Sequence, residues 1–224
     1  MLTHVNFVCI INLNIRETHE IMDVMKKKTY HFGNLKETLI EQGITLIHEE
    51  GIEKFSLRKL AKKVGVSATA CYNHFENIDD LLQAMFTYVT DRFAYALRQA
   101  ADNNPYHYVT LSIGVAYVEF FAEHPHYFNF LFDNEHLSIL IKENELTCAS
   151  PFAPLEIFID ATRKAMQANS SDESELRDNL LVMWATVHGL AAMANMKGIQ
   201  HENKNWGTLT ATLLQNKCWN INQI

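Results

Sequence analysis

From Lys26 onward, apolar residues recur at helical spacing in one segment after another, and no segment shows a sustained alternation of apolar and polar residues. The chain contains only 8 glycines and 4 prolines, too few for the many turns of a β-sandwich or a β-barrel. Hydrophobic residues make up 48% and charged residues 20% of the chain, a globular mixture that excludes extended disorder. The sequence therefore predicts an all-α fold.

Two consecutive short helices form the clearest local prediction. Ser56 can cap the first helix, 57–64, and Gly65 ends it because glycine readily adopts the positive φ of a tight turn. Ser67 can cap the second helix, which reaches His74. Two short helices joined by a three-residue turn are typical of the helix-turn-helix motif, in which the first helix braces the second.

Longer helices are predicted on both sides of this pair. Two capping boxes mark their starts, Asn34 with Glu37 and Asn77 with Asp80, and the second of these helices runs to about residue 101. The other predicted elements are helices at 105–123, 127–132, 152–168, 173–196 and 206–217, and a loop around a weak helical piece at 133–150.

Residues 1–25 do not continue the helical pattern, so we divide the chain into this N-terminal extension, a three-helix domain at 26–80 and a helical bundle at 81–224. The extension is either disordered or the product of a mis-set start codon, with translation from Met22 or Met25. Its apolar run is too short to span a membrane and lacks the features of a signal peptide. The four cysteines lie far apart without a CxxC pair, which favours a reducing compartment, the cytoplasm.

Side chains suited to contact with DNA crowd the two short helices. The first helix carries basic residues that can neutralise phosphates, and the second carries hydroxyl, amide and imidazole groups that can read base edges. The alternative is that the lysine-rich face is only a solvated surface. Phe75 is expected to be a core aromatic. The candidate DNA-binding residues are Arg58, Lys62, Lys63, Ser67, Ala68, Thr69, Tyr72, Asn73 and His74.

Residues 30–82 resemble the DNA-binding domain of the TetR family of transcriptional regulators. The similarity rests on a Ser-Leu-Arg-x-Leu-Ala segment that begins at Ser56, a Gly-Val-Ser turn at 65–67 and a Tyr-x-His-Phe motif at 72–75. An aliphatic pair at 81–82 then starts the connecting helix. Several spaced elements occur in the expected order, so the resemblance predicts a helix-turn-helix domain attached to a helical body.

The resemblance also implies roles for individual positions. Tyr72 and His74 align with residues that contact phosphates, and Arg58 lies on the supporting helix near the DNA backbone. The positions that face bases are those of Ala68, Thr69 and Asn73.

Two positions depart from the family pattern. Ile78 stands where the family usually has a lysine that contacts a phosphate, and Thr69 replaces an early glycine of the recognition helix. We therefore expect either weaker operator binding or compensation from Lys62, Lys63 or a basic arm. The arm, residues 26–31, either reaches an adjacent groove or is only a solvated terminus.

The second half of the chain is rich in aromatic residues, including tyrosines, whose hydroxyls need partners when buried. Most of these residues are expected to be core, but the combination is also typical of a small-molecule cavity between helices. Segment 124–132 resembles the short helix beside the ligand cavity of many TetR relatives, and Trp-x-x-x-His-Gly at 184–189 resembles the WHG subtype of C-terminal domain. A satisfied core histidine is the alternative for His188. The candidate ligand-binding residues are Tyr117, Phe121, Phe128, Phe132, Trp184 and His188.

An apolar stripe at steps of three and four residues runs along the helix 173–196. Such a stripe suits pairing with the same helix of a second subunit. With two leucines of the last helix it predicts a two-fold, four-helix interface, whose symmetry matches that of a palindromic operator. The candidate interface residues are Leu176, Leu180, Met183, Val187, Leu190, Leu209 and Leu213.

Together these features predict a homodimeric transcriptional repressor that binds double-stranded DNA and responds to a small hydrophobic molecule, with the helix 78–101 moving on ligand binding. A DNA-binding dimer without an effector is the alternative. An enzyme is disfavoured, because Glu123-x-x-His126 has no second copy to complete a di-iron site and no nucleotide-binding or hydrolase motif is present. We expect no catalytic residue, no metal and no other cofactor.

The net charge of −7 is divided unevenly along the chain. Residues 26–77 carry +3, residues 78–224 carry −8 and residues 1–25 carry −2. The acidity lies in the half expected to face away from DNA, where it discourages non-specific binding. A modestly basic reading domain on an acidic body is therefore compatible with DNA binding.

Overall fold

The computed structural model describes residues 35–133, 137–143, 145–168, 172–203 and 205–215. Within these ranges the α-helices are α1 Leu35–Glu50, α2 Leu57–Val64, α3 Ala68–Tyr72, α4 Ile78–Asn103, α5 Val109–Glu123, α6 Pro125–Phe132, α7 Ala153–Ala168, α8 Leu176–Asn195 and α9 Trp206–Leu213. Two short 3-10 helices lie at Ile52–Lys54 and Glu173–Glu175, and two strands at β1 Ile139–Ile141 and β2 Leu146–Cys148. The prediction of an all-α fold is confirmed.

The caps predicted for the two short helices are present. The hydroxyl of Ser56 accepts a hydrogen bond from the backbone N–H three residues on at 3.3 Å, and the hydroxyl of Ser67 does the same at 3.2 Å. Gly65 ends α2 with a φ of 80°, the left-handed conformation that favours glycine. The second helix is shorter than predicted, because α3 ends at Tyr72 and not at His74.

The capping box at the start of α4 is also present in a slightly different form. The Asn77 side chain accepts a hydrogen bond from the backbone N–H of Asp80 at 2.9 Å. The Asp80 carboxylate accepts its return bond from the backbone N–H of Glu76 at 3.0 Å, one residue before the cap. Helix α4 then runs for 26 residues, from the N-terminal unit into the body.

The segment after α4 differs from the prediction. Pro105 does not open a helix, because Asn104 and His107 adopt positive φ angles of 38° and 63° in a turn. Helix α5 begins only at Val109. The hydroxyl of Ser112 lies 3.0 Å from the side-chain oxygen of Asn104, which ties the turn to the start of the helix.

The region predicted as a loop at 133–150 contains a small antiparallel hairpin, and no helical piece occurs in its described part. Ile139 pairs with Cys148 and Ile141 pairs with Leu146. Strands of three residues are too short to produce a recognisable alternation of apolar and polar residues, so they could not be predicted.

Helix α5 lies at the centre of the body and packs against α4, α7, α8 and α9. It is buried on most of its surface, which explains why its sequence is apolar nearly all round. In the N-terminal unit, α2 packs against both α1 and α3. Helices α4 and α6 contact α1 and so join the unit to the body. The contact between α1 and α4 is close, because a methyl group at Gly43 would lie 1.9 Å from Cε of Met85.

Several predictions fall outside the described residues, namely those on the extension 1–25, the basic arm 26–31 and the Asn34 cap. Of the cysteines in the described ranges, Cys71 and Cys148 are free thiols. Within the same ranges no helix is both long enough and apolar enough to cross a membrane. The division into domains at residues 80 and 81 stays a prediction.

Candidate functional site

Helices α2 and α3 meet at the Gly65 turn and bury their apolar faces in a core shared with α1. Leu60 of α2 and Cys71 of α3 are fully buried, and Phe75 just beyond α3 is 2% exposed. The expected core role of Phe75 is therefore confirmed. Because packing occupies the inner faces of the two helices, their outer faces are left to solvent.

The predicted DNA-binding residues lie on this outer face, which we call the α2–α3 surface. All of them except the half-buried Ala68 are exposed. Tyr72 has 57% of its surface exposed. Because most of its surface is open to solvent, the Tyr72 side chain is available to a partner outside the chain.

Two lysines of α2 are already paired with acidic residues at the end of α1. The Lys59 ammonium lies 2.7 Å from Oε2 of Glu50, and this hydrogen bond lowers the pKa of the Glu50 carboxyl. Lys63 pairs with Glu49. Lys62 has no acidic partner among the residues that the structure describes. Of the two candidates Lys62 and Lys63, Lys62 is therefore the freer to meet a phosphate.

Ile78, one of the two departures from the family pattern, fills a place in the core. It is half-buried and packs against the core at the start of α4. Asp79 and Asp80 follow it in the first turn, where they complement the helix dipole. The described side chains in this turn are thus apolar or acidic, and a phosphate would find no cation here.

A junction network of polar side chains ties α1 to the body. The Tyr88 hydroxyl on α4 lies 3.2 Å from Oε1 of Glu37 and also donates to the Glu41 carboxylate. Arg92, one turn further along α4, lies 3.1 Å from Oε1 of Glu37 and places its guanidinium 4.3 Å from the Tyr88 ring centre. Tyr127 of α6 meets the Tyr88 ring edge-on at 6.5 Å. Burial and the neighbouring carboxylate raise the pKa of Tyr88.

The six predicted ligand-binding residues lie together in one aromatic cluster. The Phe121 ring of α5 has its centre 5.4 Å from that of Phe128 and 5.5 Å from that of Phe132, both on α6. The His188 ring of α8 lies 5.0 Å from Phe128 and 4.6 Å from Phe132. Three helices therefore contribute rings to a single contact region.

Tyr117 and His188 form the polar pair of this cluster. The Tyr117 hydroxyl lies 2.9 Å from Nδ1 of His188. Burial raises the pKa of Tyr117 and lowers the pKa of His188, so both side chains are uncharged at neutral pH. The Trp184 ring lies 5.6 Å from His188 on the same face of α8. The other four rings of the cluster thus pack around one neutral pair of hydrogen-bonding groups.

Two cavities lie beside the cluster. The inner chamber has a volume of about 20 Å³, enough for roughly one water molecule. The outer cleft has a volume of about 270 Å³. Phe132, Ile139 and Trp184 line both cavities and form the wall between them. Tyr117 lines the inner chamber and His188 the outer cleft.

Sequence reasoning missed part of the cavity wall, and two predicted residues stand behind it. Phe121 and Phe128 are absent from both linings and support the rings that form them. Aromatic density indicated the region, but spacing does not separate a cavity wall from a core. The lining residues that were missed are Phe93, Leu131, Leu137, Ile139, Leu146, Phe152, Pro154, Leu155, Phe158 and Leu180, the last of which was predicted only for the interface.

The stripe predicted to pair with a second subunit faces the chain's own core. Helix α8 uses this stripe to pack against α5 and α7. A periodic apolar pattern predicts which face of a helix is buried, but not which element buries it. Leu176 is half-buried and remains a candidate for an interface. The prediction is wrong for the buried residues Leu180, Met183, Val187 and Leu190.

The opposite face of α8 carries its own apolar stripe, and this one is open. Val182 is 57% exposed and Met193 is 41% exposed, with Gly189 between them. A side chain added at Gly189 would meet no atom within 4 Å. On α9, Leu209 and Leu213 are half-buried and remain candidates for an interface.

The enzyme alternative gains no support from the site. Glu123 ends α5 and His126 lies in α6 after Pro125, so the Glu-x-x-His pair is split between two helices. Among the described residues, no group of three or more His, Cys, Asp and Glu side chains is arranged to hold a metal ion.

Two family models match the chain. The model for bacterial regulatory proteins of the tetR family covers residues 39–85, and the model for the tetracyclin repressor-like C-terminal domain covers residues 110–214. The first contains the α2–α3 surface and the second contains most of the aromatic cluster and both cavities. The WHG subtype is not specifically matched and stays a prediction.

Three solved structures of similar fold are those of transcription regulators. A TetR-family transcriptional regulator from Haemophilus influenzae is 22% identical, with a TM-score of 0.56 over 80% of this chain and 95% of that one. The regulator FadR from Bacillus subtilis, solved in complex with stearoyl-CoA, is 13% identical, with a TM-score of 0.60 over 80% and 97%. A TetR-family regulator from Marinobacter aquaeolei is 17% identical, with a TM-score of 0.54 over 79% and 92%.

Proposed function

Because this chain belongs to the TetR family, and so is a ligand-responsive, DNA-binding transcriptional regulator and not an enzyme, we propose that it is a homodimeric repressor. Each subunit places α3 in the major groove of one half of a palindromic operator. A small apolar molecule, bound in the body, releases the dimer from DNA. The protein works in the compartment that holds its DNA partner, the cytoplasm.

The observation that carries this proposal is that two helices, α4 and α6, connect α1 of the N-terminal unit to the cavities. Helix α4 contacts α1 at the junction network and lines the inner chamber with Phe93. Helix α6 also contacts α1 and lines both cavities with Phe132. A molecule that displaces these two rings therefore acts on the helices that position α1.

The chemistry of the α2–α3 surface supports DNA as the partner. Exposed Tyr72 and His74 can contact phosphates, and Lys62 adds a cation that has no acidic partner within the described part of the chain. Thr69 and Asn73 are exposed beside them and offer a hydroxyl and an amide to base edges. Ala68 and Ser67 at the start of α3 are small enough for the helix to approach the groove closely.

The effector acts by shifting a population. In the free protein, states with DNA-competent and DNA-incompetent separations of the two α3 helices exchange, and the effector binds the incompetent state more tightly. The inner chamber as described holds only about one water molecule, so a larger effector has to move its wall. The shift in DNA affinity equals the difference between the effector's affinities for the two states.

We infer that the dimer forms through the exposed face of α8, with Leu209 and Leu213 of α9 beside it. The exposed stripe includes Val182, Gly189 and Met193, whose spacing of seven and four residues keeps them on one side of the helix. A second copy is the occupant expected for this face, because a two-fold axis here would present two α3 helices to the two halves of one operator.

Gel-shift titration with the DNA upstream of the chain's own coding region tests the proposed function. Salt-sensitive binding is expected, with loss of the complex when a hydrophobic effector is added. Thermal-shift screening against hydrophobic compounds identifies such effectors, because a ligand of the native state raises the melting temperature. A protein that binds DNA but is stabilised by no compound would be a DNA-binding dimer without an effector.

Light scattering after size exclusion tests the interface. Val182→Glu and Met193→Glu each bury a charge in the proposed interface and are expected to give monomers. Ile141→Glu, at a side chain 62% exposed on β1, is the matched control and is expected to leave the dimer intact. Dimers in both α8 variants would place the interface elsewhere.

A further inference from the structure

The linings of the two cavities restrict the charge of any molecule they hold. None of the described lining residues carries a permanent charge, and His188 is the sole titratable side chain of the outer cleft among them. An anion placed there would lose its water without gaining a cation, and this desolvation is costly. A cation would gain contact with ring faces, but this contact offsets only part of the hydration free energy that the cation loses. No carboxylate among the described residues lines the cavities to offset the rest.

The polar pair is placed across the wall that separates the cavities. Tyr117 lines the inner chamber, His188 lines the outer cleft, and their 2.9 Å contact joins the hydroxyl to Nδ1. When the hydroxyl donates to Nδ1, the neutral imidazole carries its proton on Nε2. Among the described residues Nε2 has no acceptor, and His188 lines the outer cleft, so this N–H can donate to a molecule held there.

We propose that the effector is an uncharged molecule with an aromatic body and one hydrogen-bonding oxygen, and that His188, oriented by Tyr117, is the residue that selects this oxygen. This inference rests on the proposed function and names the class of its effector. The aromatic body lies against Phe132 and Trp184 in the outer cleft, since this cleft has the larger volume, about 270 Å³. Because the same two rings wall the inner chamber, a body that pushes them aside opens it.

Calorimetric titration of the full chain with four compounds of one shape tests the proposal. The probes are 2-naphthol, naphthalene, 2-naphthoate and 2-naphthylmethylammonium, which differ in the oxygen and in the charge. We expect 2-naphthol to bind about fivefold more tightly than naphthalene, the value of one hydrogen bond. We expect each charged compound to bind at least about tenfold more weakly than 2-naphthol.

Three variants test whether the preference for 2-naphthol over naphthalene depends on His188 or only on apolar contacts. His188→Phe keeps a ring but removes the donor, so the preference for 2-naphthol over naphthalene is expected to vanish while naphthalene still binds. Tyr117→Phe removes the partner that orients His188 and is expected to reduce the preference by about half on a logarithmic scale. Tyr88→Phe also removes a tyrosine hydroxyl, but at the junction network, and is expected to keep the full preference.

The outcomes distinguish this inference from the proposed function. Tighter binding of 2-naphthoate or of the ammonium compound overturns the class of effector, as does the failure of all four compounds to bind. An unchanged preference in His188→Phe overturns the role of that residue. If 2-naphthol binds with the expected preference but leaves the operator complex intact in a gel shift, the effector class stands and the proposed release mechanism fails.

Discussion

The α2–α3 surface and the aromatic cluster use similar side chains in opposite ways. Tyr72 on α3 is 57% exposed, whereas Tyr117 in the cluster is 3% exposed and has its hydroxyl paired with His188. A tyrosine in water adds little to the free energy of unfolding, so Tyr72 is available to a partner outside the chain. A buried tyrosine serves the core and the cavity at once. Function and stability can therefore be separated by mutation at the surface far more easily than in the body.

The largest effect is expected where core and cavity coincide. The Phe93 ring lies 5.1 Å from Tyr117 and 4.7 Å from Phe121, and also lines the inner chamber. Phe93→Ala is expected to lower the free energy of unfolding by about 3–5 kcal/mol, measured by urea denaturation. Tyr95→Ala, two residues further at a side chain 64% exposed, is expected to change it by less than about 0.5 kcal/mol. A cost below about 1 kcal/mol for Phe93→Ala would show that the cluster is not part of the core.

At the α2–α3 surface the same kind of truncation is expected to spare stability and remove binding. Tyr72→Ala is expected to weaken operator affinity about tenfold or more, measured by fluorescence anisotropy. The change removes the proposed phosphate contact, which also helps to orient α3 on the DNA. The free energy of unfolding is expected to stay within about 0.5 kcal/mol of the original. Tyr95→Ala again serves as the control and is expected to bind DNA normally. Equal affinity in the Tyr72 and Tyr95 variants would contradict the placement of DNA on this surface.

A smaller effect distinguishes two lysines within the surface. Lys62→Ala is expected to reduce the magnitude of the salt slope of DNA binding by about 1, as for the loss of one phosphate contact. Lys63 is already paired with Glu49 and gives up that pair to meet DNA, so Lys63→Ala is expected to change the slope and the affinity less. The measurement is the operator affinity at a series of salt concentrations. The reverse order would mean that the pair with Glu49 opens at no cost.

The smallest effect concerns histidines of the body. Burial lowers the pKa of His124, His126 and His188. Glu123 and Glu41 oppose this effect at His124, and Glu41 opposes it at His126. The unfolded chain therefore binds these protons more readily, so stability is full above about pH 6.5 and falls as the pH drops below it.

Urea denaturation at pH 7.5 and pH 5.5 measures this loss and assigns it to a region. His188→Gln is expected to reduce the loss at the cluster, and the double change His124→Gln with His126→Gln is expected to reduce it near the junction network. A loss that is the same in all variants would assign the pH dependence to other groups.

The features that could be predicted from the sequence are those that depend on a few residues close together in the chain. The caps at Ser56 and Ser67 and the turn at Gly65 depend on local hydrogen bonds and on φ, and all three were found as predicted. The exposure of Tyr72 also agrees with its place at the end of a short helix.

What could not be predicted depends on distant neighbours. The stripe containing Val187 had the right period, but its neighbour turned out to be the chain's own α5 and α7 and not a second subunit. The contribution of Ile139 and Leu146 to the cavity required a hairpin whose strands are three residues long. Phe93 looked like any other buried aromatic, because cavity walls and cores use the same residue types.

Because helix α4 is long, a small tilt of this helix in the body produces a large displacement at its N-terminal end. Its 26 residues span about 39 Å at 1.5 Å per residue, from the N-terminal unit to the far end of the body. A tilt of about 5° around its distal end moves its first residue by about 3.4 Å, and in the proposed dimer two subunits moving apart double this to about 7 Å. Successive half-sites on one face of DNA are about 34 Å apart, so such a change is a fifth of the spacing that both recognition helices must match. Displacement of a single aromatic ring in the body is therefore large enough to matter at the operator.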